Sequence, residues 1–418
     1  MKAGLSEEFV DAARRELRRA GLDGWLLYDL KARNHVAAEI VGLPDGLTRR
    51  WFVLVRPEGT PRALAHRIEL AYWEEWDHEL DAYVGWSELE GKLAALLDGC
   101  EAVAMEVSAR DAVPILDTVP AGVVELVRGL GVRVESSADL ISGTLAQWGE
   151  RGRELHRQAA RVLKETARAA FELAAAVLEG GPAPADGRGE DGRAKDRSGG
   201  PDTLPNTEHA LASWILEELD RRGLTQQDTI VAVGPNSAKP HYEPTAQASA
   251  PLEAGQVLLI DLWGKMAGDA RAIVADQTWM GFLGTELPAD VADAWDAVRA
   301  ARDGAVELIR SRPDGEFPSG AEVDRHVRSI LEGRGYGDRI LHRTGHGIDR
   351  ETHGFGPNLD SVESRDERRL VPGIGFSVEP GLYFPGRFGL RSEIDVHLRE
   401  DGLEVSPEQY QEMPWLLG

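Results

Sequence analysis

Four acidic residues lie inside runs of apolar, strand-like sequence, and this limits what the chain can fold into. Asp261 follows Val257, Leu258, Leu259 and Ile260 in QVLLIDLWG, and Asp276 follows Ile273 and Val274 in AIVADQTWMGF. Glu379 follows Phe376 and Val378 in GIGFSVEPGLYF, and Glu393 stands between Leu390 and Ile394 in GLRSEIDVHL. Carboxylates normally stay at the surface. Burying one in its ionised form is costly unless it is paired or metal-bound, and burying four costs far more. A fold for this chain must therefore supply compensating charge where these strands meet.

A second feature points to what compensates them. HRTGHGIDRETHG, from His342 to Gly354, holds three of the chain's 11 histidines, at 342, 346 and 353, threaded with glycines. Carboxylate oxygens and imidazole nitrogens together form a mixed set suited to Mn, Fe, Co or Zn, whereas an all-oxygen set suits Mg or Ca. Two metal ions sharing carboxylates would balance the buried charge and activate a water for hydrolysis.

Composition removes several classes of partner. The formal charge is −24 over 418 residues, so neither a nucleic-acid backbone nor an anionic lipid surface is expected to bind it. The lone cysteine, Cys100, cannot form an internal disulfide, which fits a reducing compartment. The first 21 residues are charged throughout, so no signal peptide is expected, and no apolar run approaches a membrane span. The expectation is a cytoplasmic protein.

The length implies two domains. Residues 1–148 alternate strand and helix patterns: a helix over 5–20 opened by Ser6, strands at 24–30, 50–57 and 62–68, a helix at 86–99, a strand at 101–107, and a further helix and strand. That is an α/β layer. Residues 149–418 form a second, α+β domain with helices at 150–180, 206–223, 289–312 and 320–335. Strands are expected across 229–285 and at 375–384 and 388–398. Residues 181–205, GPAPADGRGEDGRAKDRSGGPDTLP, carry almost nothing apolar larger than alanine and read as a disordered insertion. His156, in the first long helix of this domain, is read as packed or solvated, and so is His397. For Asp261 and Asp276 to point the same way from a hairpin, a register pairing the two directly is expected, centred between Gly268 and Asp269. Asp269 is then a solvated turn residue.

The order Asp261, Asp276, His346, Glu379, Glu393, with the motifs LLIDLWG, ADQTW, RTGHGIDRETHG, GFSVEPGLY and LRSEID, resembles the pita-bread metallopeptidases: aminopeptidase P, prolidase and methionine aminopeptidase. Residues 1–148 resemble the small N-terminal domain of creatinase, prolidase and aminopeptidase P, which favours the proline-specific branch. The resemblance implies a dinuclear metallopeptidase that cuts the peptide bond before proline in a di- or oligopeptide, with two divalent ions, manganese first and Zn, Co or Fe as alternatives. It implies that Asp261 binds one metal, that Asp276 and Glu393 bridge the two, and that His346 and Glu379 complete the second site. A hydroxide between the metals would attack, and Glu379 would shuttle its proton. His353 would face the developing oxyanion, His342 would line the proline pocket, and His241 in NSAKPHYEPT would contact substrate. Arg391 would neutralise the carboxylates or touch substrate. Glycines 345 and 347 would let the backbone approach the metals. Tyr383 and Trp263 are expected to pack. Family members commonly form homodimers.

The sequence departs from the family pattern at three places. The two aspartates are 15 positions apart, wider than usual; Thr278 is followed by Trp279 where arginine is common; and Gly354 follows His353 where an acidic residue is common. Two other readings use the same scaffold. One is a different C–N hydrolase of the ectoine-hydrolase kind, and the other is a non-catalytic binding protein, which would have lost ligands that this chain keeps.

Overall fold

The computed structural model describes residues 4–43, 46–180, 204–225, 228–312 and 316–418. The expected insertion at 181–205 lies, but for its last two residues, outside them. The chain divides into two compact units, 1–147 with 364–369, and 148–363 with 370–418. The division falls one residue earlier than the sequence reading placed it. Trp148 belongs with the second unit because its indole Nε1 donates to the Ile348 carbonyl at 2.7 Å and its main-chain N–H donates to Gly373. The return of 364–369 to the first unit left no signal in the sequence.

In the first unit α1 (Glu7–Ala20) starts at Ser6, whose hydroxyl accepts the Phe9 N–H, and ends at Gly21 in the left-handed region. The remaining helices are α2 (His35–Val41), α3 (Trp86–Leu96), α4 (Ala121–Gly129) and α5 (Ala138–Ser142). Six strands, β1 (Gly24–Asp29), β2 (Trp51–Val55), β3 (Arg62–His66), β4 (Glu79–Tyr83), β5 (Ala102–Met105) and β6 (Arg133–Ser136), form one mixed sheet in the order β4-β3-β2-β1-β5-β6. β1, β2 and β3 run antiparallel in turn, while β4, β5 and β6 each join in parallel.

In the second unit α6 (Glu150–Glu179) and α7 (Glu208–Arg221) pack against strands β7 (Leu224–Thr225), β8 (Thr229–Val233), β9 (Val257–Met266) and β10 (Ala275–Phe282). Their core joins Leu163 and Phe171 of α6, Leu211 and Ile215 of α7, and Ile260 and Leu262 of β9, all essentially inaccessible. α8 (Ala289–Arg310) lies against α9 (Gly320–Gly333), which Ser319 and Glu322 open with reciprocal capping bonds. The expectation of strands throughout 229–285 fails between β8 and β9. Gly234–Ala238 is a 3₁₀ turn, and the stretch after it, rich in proline and small residues, pairs with no strand.

The two C-terminal strand segments each break in two. They become β12 (Gly375–Val378) and β13 (Gly381–Phe384), then β14 (Phe388–Arg391) and β15 (Ile394–Arg399), after the short β11 (Gly347–Ile348). Glu379 stands in the first break, before Pro380, and Glu393 in the second. The breaks hand the chain from one sheet to another. β12 and β15 pair within the order β11-β12-β15-β16, with β16 at Gly402–Ser406, while β13 and β14 form their own hairpin. The last strand, β17 (Trp415–Leu416), adds to β10 in parallel at Gly281 and Phe282.

Gly375 lets β12 lie directly on the Trp148 indole, and a Cβ there would overlap the ring. Gly375→Ala should therefore destabilise the fold by about 1–3 kcal/mol, the usual cost of overfilling a packed site. Chemical denaturation of the variant checks this, and unchanged stability would mean that the ring is free to move aside.

Candidate metal centre

The five residues singled out by the sequence come together in the second unit from four separate stretches of chain. Asp261 and Asp276 sit on adjacent antiparallel strands, but not opposite one another. Asp261 pairs with Thr278, and Asp276 pairs with Trp263. The direct pairing expected from the sequence is thus off by two residues. A slip of two preserves the face, because side chains alternate with a period of two, so both carboxylates still point the same way. Asp269 is not a freely solvated turn residue either. Its carboxylate takes Arg271 at 2.9 Å and Arg151 at 3.2 Å, and these bonds, Arg271's first, hold its pKa below the usual range.

His346 precedes β11, and its position is fixed from both sides. Its main-chain N–H donates to the Ser377 hydroxyl at 3.0 Å and its carbonyl accepts the Ser377 N–H at 2.8 Å. The glycines around it serve this packing. A Cβ at Gly345 would overlap the Ser377 carbonyl, and one at Gly347 would lie 2.7 Å from the Gly356 carbonyl. They permit close approach of backbone to backbone, where the sequence reading had them approach metals.

Asp276, His346 and Glu393 each offer a ligand atom, and the three atoms lie within 4.8 Å of one another. His346 Nε2 is 3.7 Å from Asp276 Oδ2 and 3.5 Å from Glu379 Oε1. Its Nδ1 lies 3.3 Å from the Gly347 carbonyl, which can only accept, so the ring proton is on Nδ1 and Nε2 presents a lone pair. Asp261 Oδ2 is bonded to Arg391 Nη2, and its Oδ1 is buried without a hydrogen-bond partner among the described residues. Arg391 Nε donates to the Thr278 hydroxyl at 2.9 Å, and that hydroxyl donates to Glu393 Oε2 at 2.7 Å. Glu379 is the most open member, with 13 % of its side chain exposed.

Electrostatics follow from this crowding. Burial raises all four carboxyls above the ordinary range. For Asp276 and Glu393, both pushed well above it, the neighbouring carboxylates add to the effect. Arg391 partly offsets the rise at Asp261 and at Glu379, which settles at about 7. Burial pushes His346 well below its usual value, and the His353 ring adds to this. A lone pair aimed at two carboxylates, and four carboxylates facing one guanidinium, are mutually repulsive as they stand. A cation between them resolves both, so the donor set fits a divalent metal ion of the O/N-tolerant kind.

The other histidines lie at the edge of this cluster. His353 is exposed, with its ring edge-on to His346 at 4.6 Å between centroids. His342 is half-buried and pushed down to about 3 by burial and then by Arg391, with Nε2 2.7 Å from the Tyr383 hydroxyl. His241 is exposed on the segment after Ala238, whose Pro240 carbonyl accepts Arg391 Nη1 at 3.5 Å. Tyr383, read from sequence as packing alone, also joins this network, because its hydroxyl accepts Arg391 Nη1 at 3.3 Å.

The sequence reading missed three supports. Thr278 is one. Asp324 on α9 accepts the N–H and hydroxyl of Thr344, at 3.0 and 2.6 Å, and so anchors the histidine segment. Asp349 accepts the Glu351 and Phe355 N–H groups, at 2.9 and 2.7 Å, and shapes the loop carrying His353. Thr278 was legible only from the strand register. Asp324 and Asp349 look like ordinary polar-face residues until their partners are known.

The second unit has the pita-bread fold and holds the buried carboxylate–imidazole cluster. Residues 153–400 match the model of metallopeptidase family M24, and the chain belongs to that family. A probable dipeptidase PepE of Mycobacterium tuberculosis is 32% identical over 197 residues, 47% of this chain and 48% of the relative. An Xaa-Pro dipeptidase of Lactobacillus delbrueckii subsp. lactis is 32% identical over 202 residues, 47% of this chain and 50% of the relative. The chain thus spans about half the length of the curated relatives it matches. The crystal structure of dipeptidase PepE from Mycobacterium ulcerans covers 98% of this chain and 96% of its own, with a TM-score of 0.66 at 24% identity, a likeness of fold.

A pH test follows from the carboxyl shifts. The folded chain holds these protons more tightly than the unfolded one. The resulting stabilisation is therefore complete below the ordinary carboxylate range and is lost as pH rises through the folded values, about 7 for Glu379. Histidines held below their ordinary value act in the opposite sense: in the unfolded chain each is still about half protonated at about pH 6.5, so each gains roughly 0.4 kcal/mol by about pH 8. The contribution of Glu379 is therefore read against Glu379→Gln, where the histidine contributions cancel: between about pH 6.5 and about pH 8 the chelator-treated parent should lose about 1 kcal/mol relative to the chelator-treated variant. Urea denaturation of both proteins at the two pH values checks this, and an equal change in the two would contradict it.

Proposed function

We propose that the protein is a dinuclear metallopeptidase that hydrolyses the peptide bond preceding proline, as an Xaa-Pro dipeptidase in preference to an aminopeptidase P. The observation that carries the metal centre is the His346 Nε2 atom lying 3.7 Å from Asp276 Oδ2 and 3.5 Å from Glu379 Oε1. The proline preference is supported by the motifs around His241, His342 and His353 and by the relative named an Xaa-Pro dipeptidase.

Asp261, Asp276, His346, Glu379 and Glu393 would hold two divalent ions, manganese first among the candidates, with Asp276 and Glu393 shared between them. Bound there, the ions would polarise the scissile carbonyl and supply a water acidified to near neutrality. Glu379 is the carboxyl suited to move a proton. It is the most open of the four, with one oxygen 3.5 Å from His346 Nε2. His353, exposed beside His346, would donate to the developing oxyanion. His342, bonded to the Tyr383 hydroxyl, would line the pocket for a proline ring, and His241 would contact the substrate. Arg391 offsets part of the burial effect at Asp261 and orients Glu393 through Thr278. A cytoplasmic homodimer acting on short peptides is the corresponding biological setting.

Chelator-stripped protein reloaded with Mn(II) should cleave dipeptides and short oligopeptides with proline in second position, and chelator should abolish the activity. Metal-replete protein that cleaves none of them would overturn the peptidase reading and favour another C–N hydrolase. His353→Ala should lower kcat by roughly 10²–10³, the range for losing one oxyanion donor, with bound manganese unchanged by elemental analysis. Loss of metal along with activity would instead make His353 a ligand.

A further inference from the structure

Behind the cluster lies a second buried polar group that the proposed reaction does not use. Asp395, on β15, is 1% exposed, and His156, on α6, is 2% exposed. Asp395 Oδ2 accepts the main-chain N–H of Asp276 at 3.0 Å. His156 Nδ1 lies 2.8 Å from the carbonyl of Val274, which can only accept, so the imidazole donates there. Its Nε2 is 3.6 Å from the same Asp395 oxygen. Trp148 closes the group, with its ring 4.5 Å from that of His156 and stacked on His397 at 5.0 Å and 9°. Among the described residues Asp395 Oδ1 has no hydrogen-bond partner.

The two bonds grip residues 274 and 276, the point where the chain enters β10. β10 needs them there. Its inner side pairs with β9, but on its outer side β17 reaches only Gly281 and Phe282. The Asp276 N–H points to that outer side, where no strand pairs with it among the described residues, so a side chain must satisfy it. An unsatisfied N–H at this depth is costly and would free the strand end to tilt. A tilt at residue 276 moves its carboxylate directly, because a ligand is only as well aimed as its backbone.

We propose that Asp395 is a positioning residue of the metal centre, which with His156 clamps the 274–276 backbone and thereby aims the Asp276 carboxylate. This rests on Asp276 being a metal ligand. Asp395 itself ligates nothing. Its work is to accept one hydrogen bond, and an asparagine oxygen can accept the same bond. His156 holds the strand two residues earlier, so each residue backs the other.

The test is calorimetric titration of chelator-stripped protein with Mn(II), alongside melting of the metal-free forms. Asp395→Ala should raise the Mn(II) Kd by roughly 10–100-fold, the range for losing an outer hydrogen-bond partner of a ligand, whereas Asp395→Asn should stay within a few-fold of the parent. Asp395→Ala binding as tightly as the parent would overturn the proposal, and so would Asp395→Asn falling as far as alanine. If the alanine variant does not fold, His156→Gln keeps a donor for Val274 and His156→Leu removes it. Weaker Mn(II) binding by leucine than by glutamine supports the clamp, and equal binding overturns it. A parent protein that binds no Mn(II) would instead fail the metal-centre reading itself, an outcome distinct from any of these.

Discussion

The mutual repulsion of Asp261, Asp276, Glu379 and Glu393 is the constraint around which the second unit is built. Four carboxyls share one buried space with a neutral imidazole and one guanidinium, and burial raises each of them above its ordinary range. Such a cluster weakens a fold unless something holds it in place. Here Arg391 bonds Asp261 and Thr278, Thr278 bonds Glu393, and the backbone of Ser377 brackets His346. The core of α6, α7 and β8–β10 supplies the apolar stabilisation against which this repulsion is tolerated. A divalent ion is the group that would turn the repulsion into attraction.

The strand breaks serve the same end. A glutamate within a regular strand points straight out of one face. Glu379 and Glu393 lie where the strand path is interrupted, so their side chains can turn toward the aspartates on the neighbouring sheet. Pro380, which cannot donate to a ladder, enforces the first interruption. Bending a strand at functional positions in this way gives up some ladder bonds to gain a convergent site.

Support for the site comes from residues that never face a substrate. Asp324 pins Thr344, Asp349 shapes the loop of His353, and Asp395 takes the N–H of Asp276. Each is a buried carboxylate that accepts backbone N–H groups, so each fixes a main-chain segment more tightly than a side-chain contact could. These three acceptors, on α9, on the loop after β11 and on β15, carry the rigidity that a constellation drawn from four stretches of chain requires.

Much of this was legible in one dimension. The α/β texture of the first unit and the long helix α6 showed in the hydrophobic pattern, the candidate ligands Asp261, Asp276, Glu379 and Glu393 in acidic residues stranded among apolar ones, because burying charge is too costly to occur without a reason, and His346 in the glycine-threaded histidine segment. The choice of Asp276 over Asp269 was also within reach, since one sits in an apolar run and the other beside a turn glycine. Tertiary structure alone decided the rest. It set the register that places Thr278, and not Asp276, across from Asp261. It placed the breaks at 379–380 and 392–393, and it brought Tyr383 onto Arg391 and Asp395 onto Asp276. Period and composition carry the face a residue occupies, but not which residue from a distant strand lies against it. That is settled only when sheets and helices pack, by which buried polar groups can find partners.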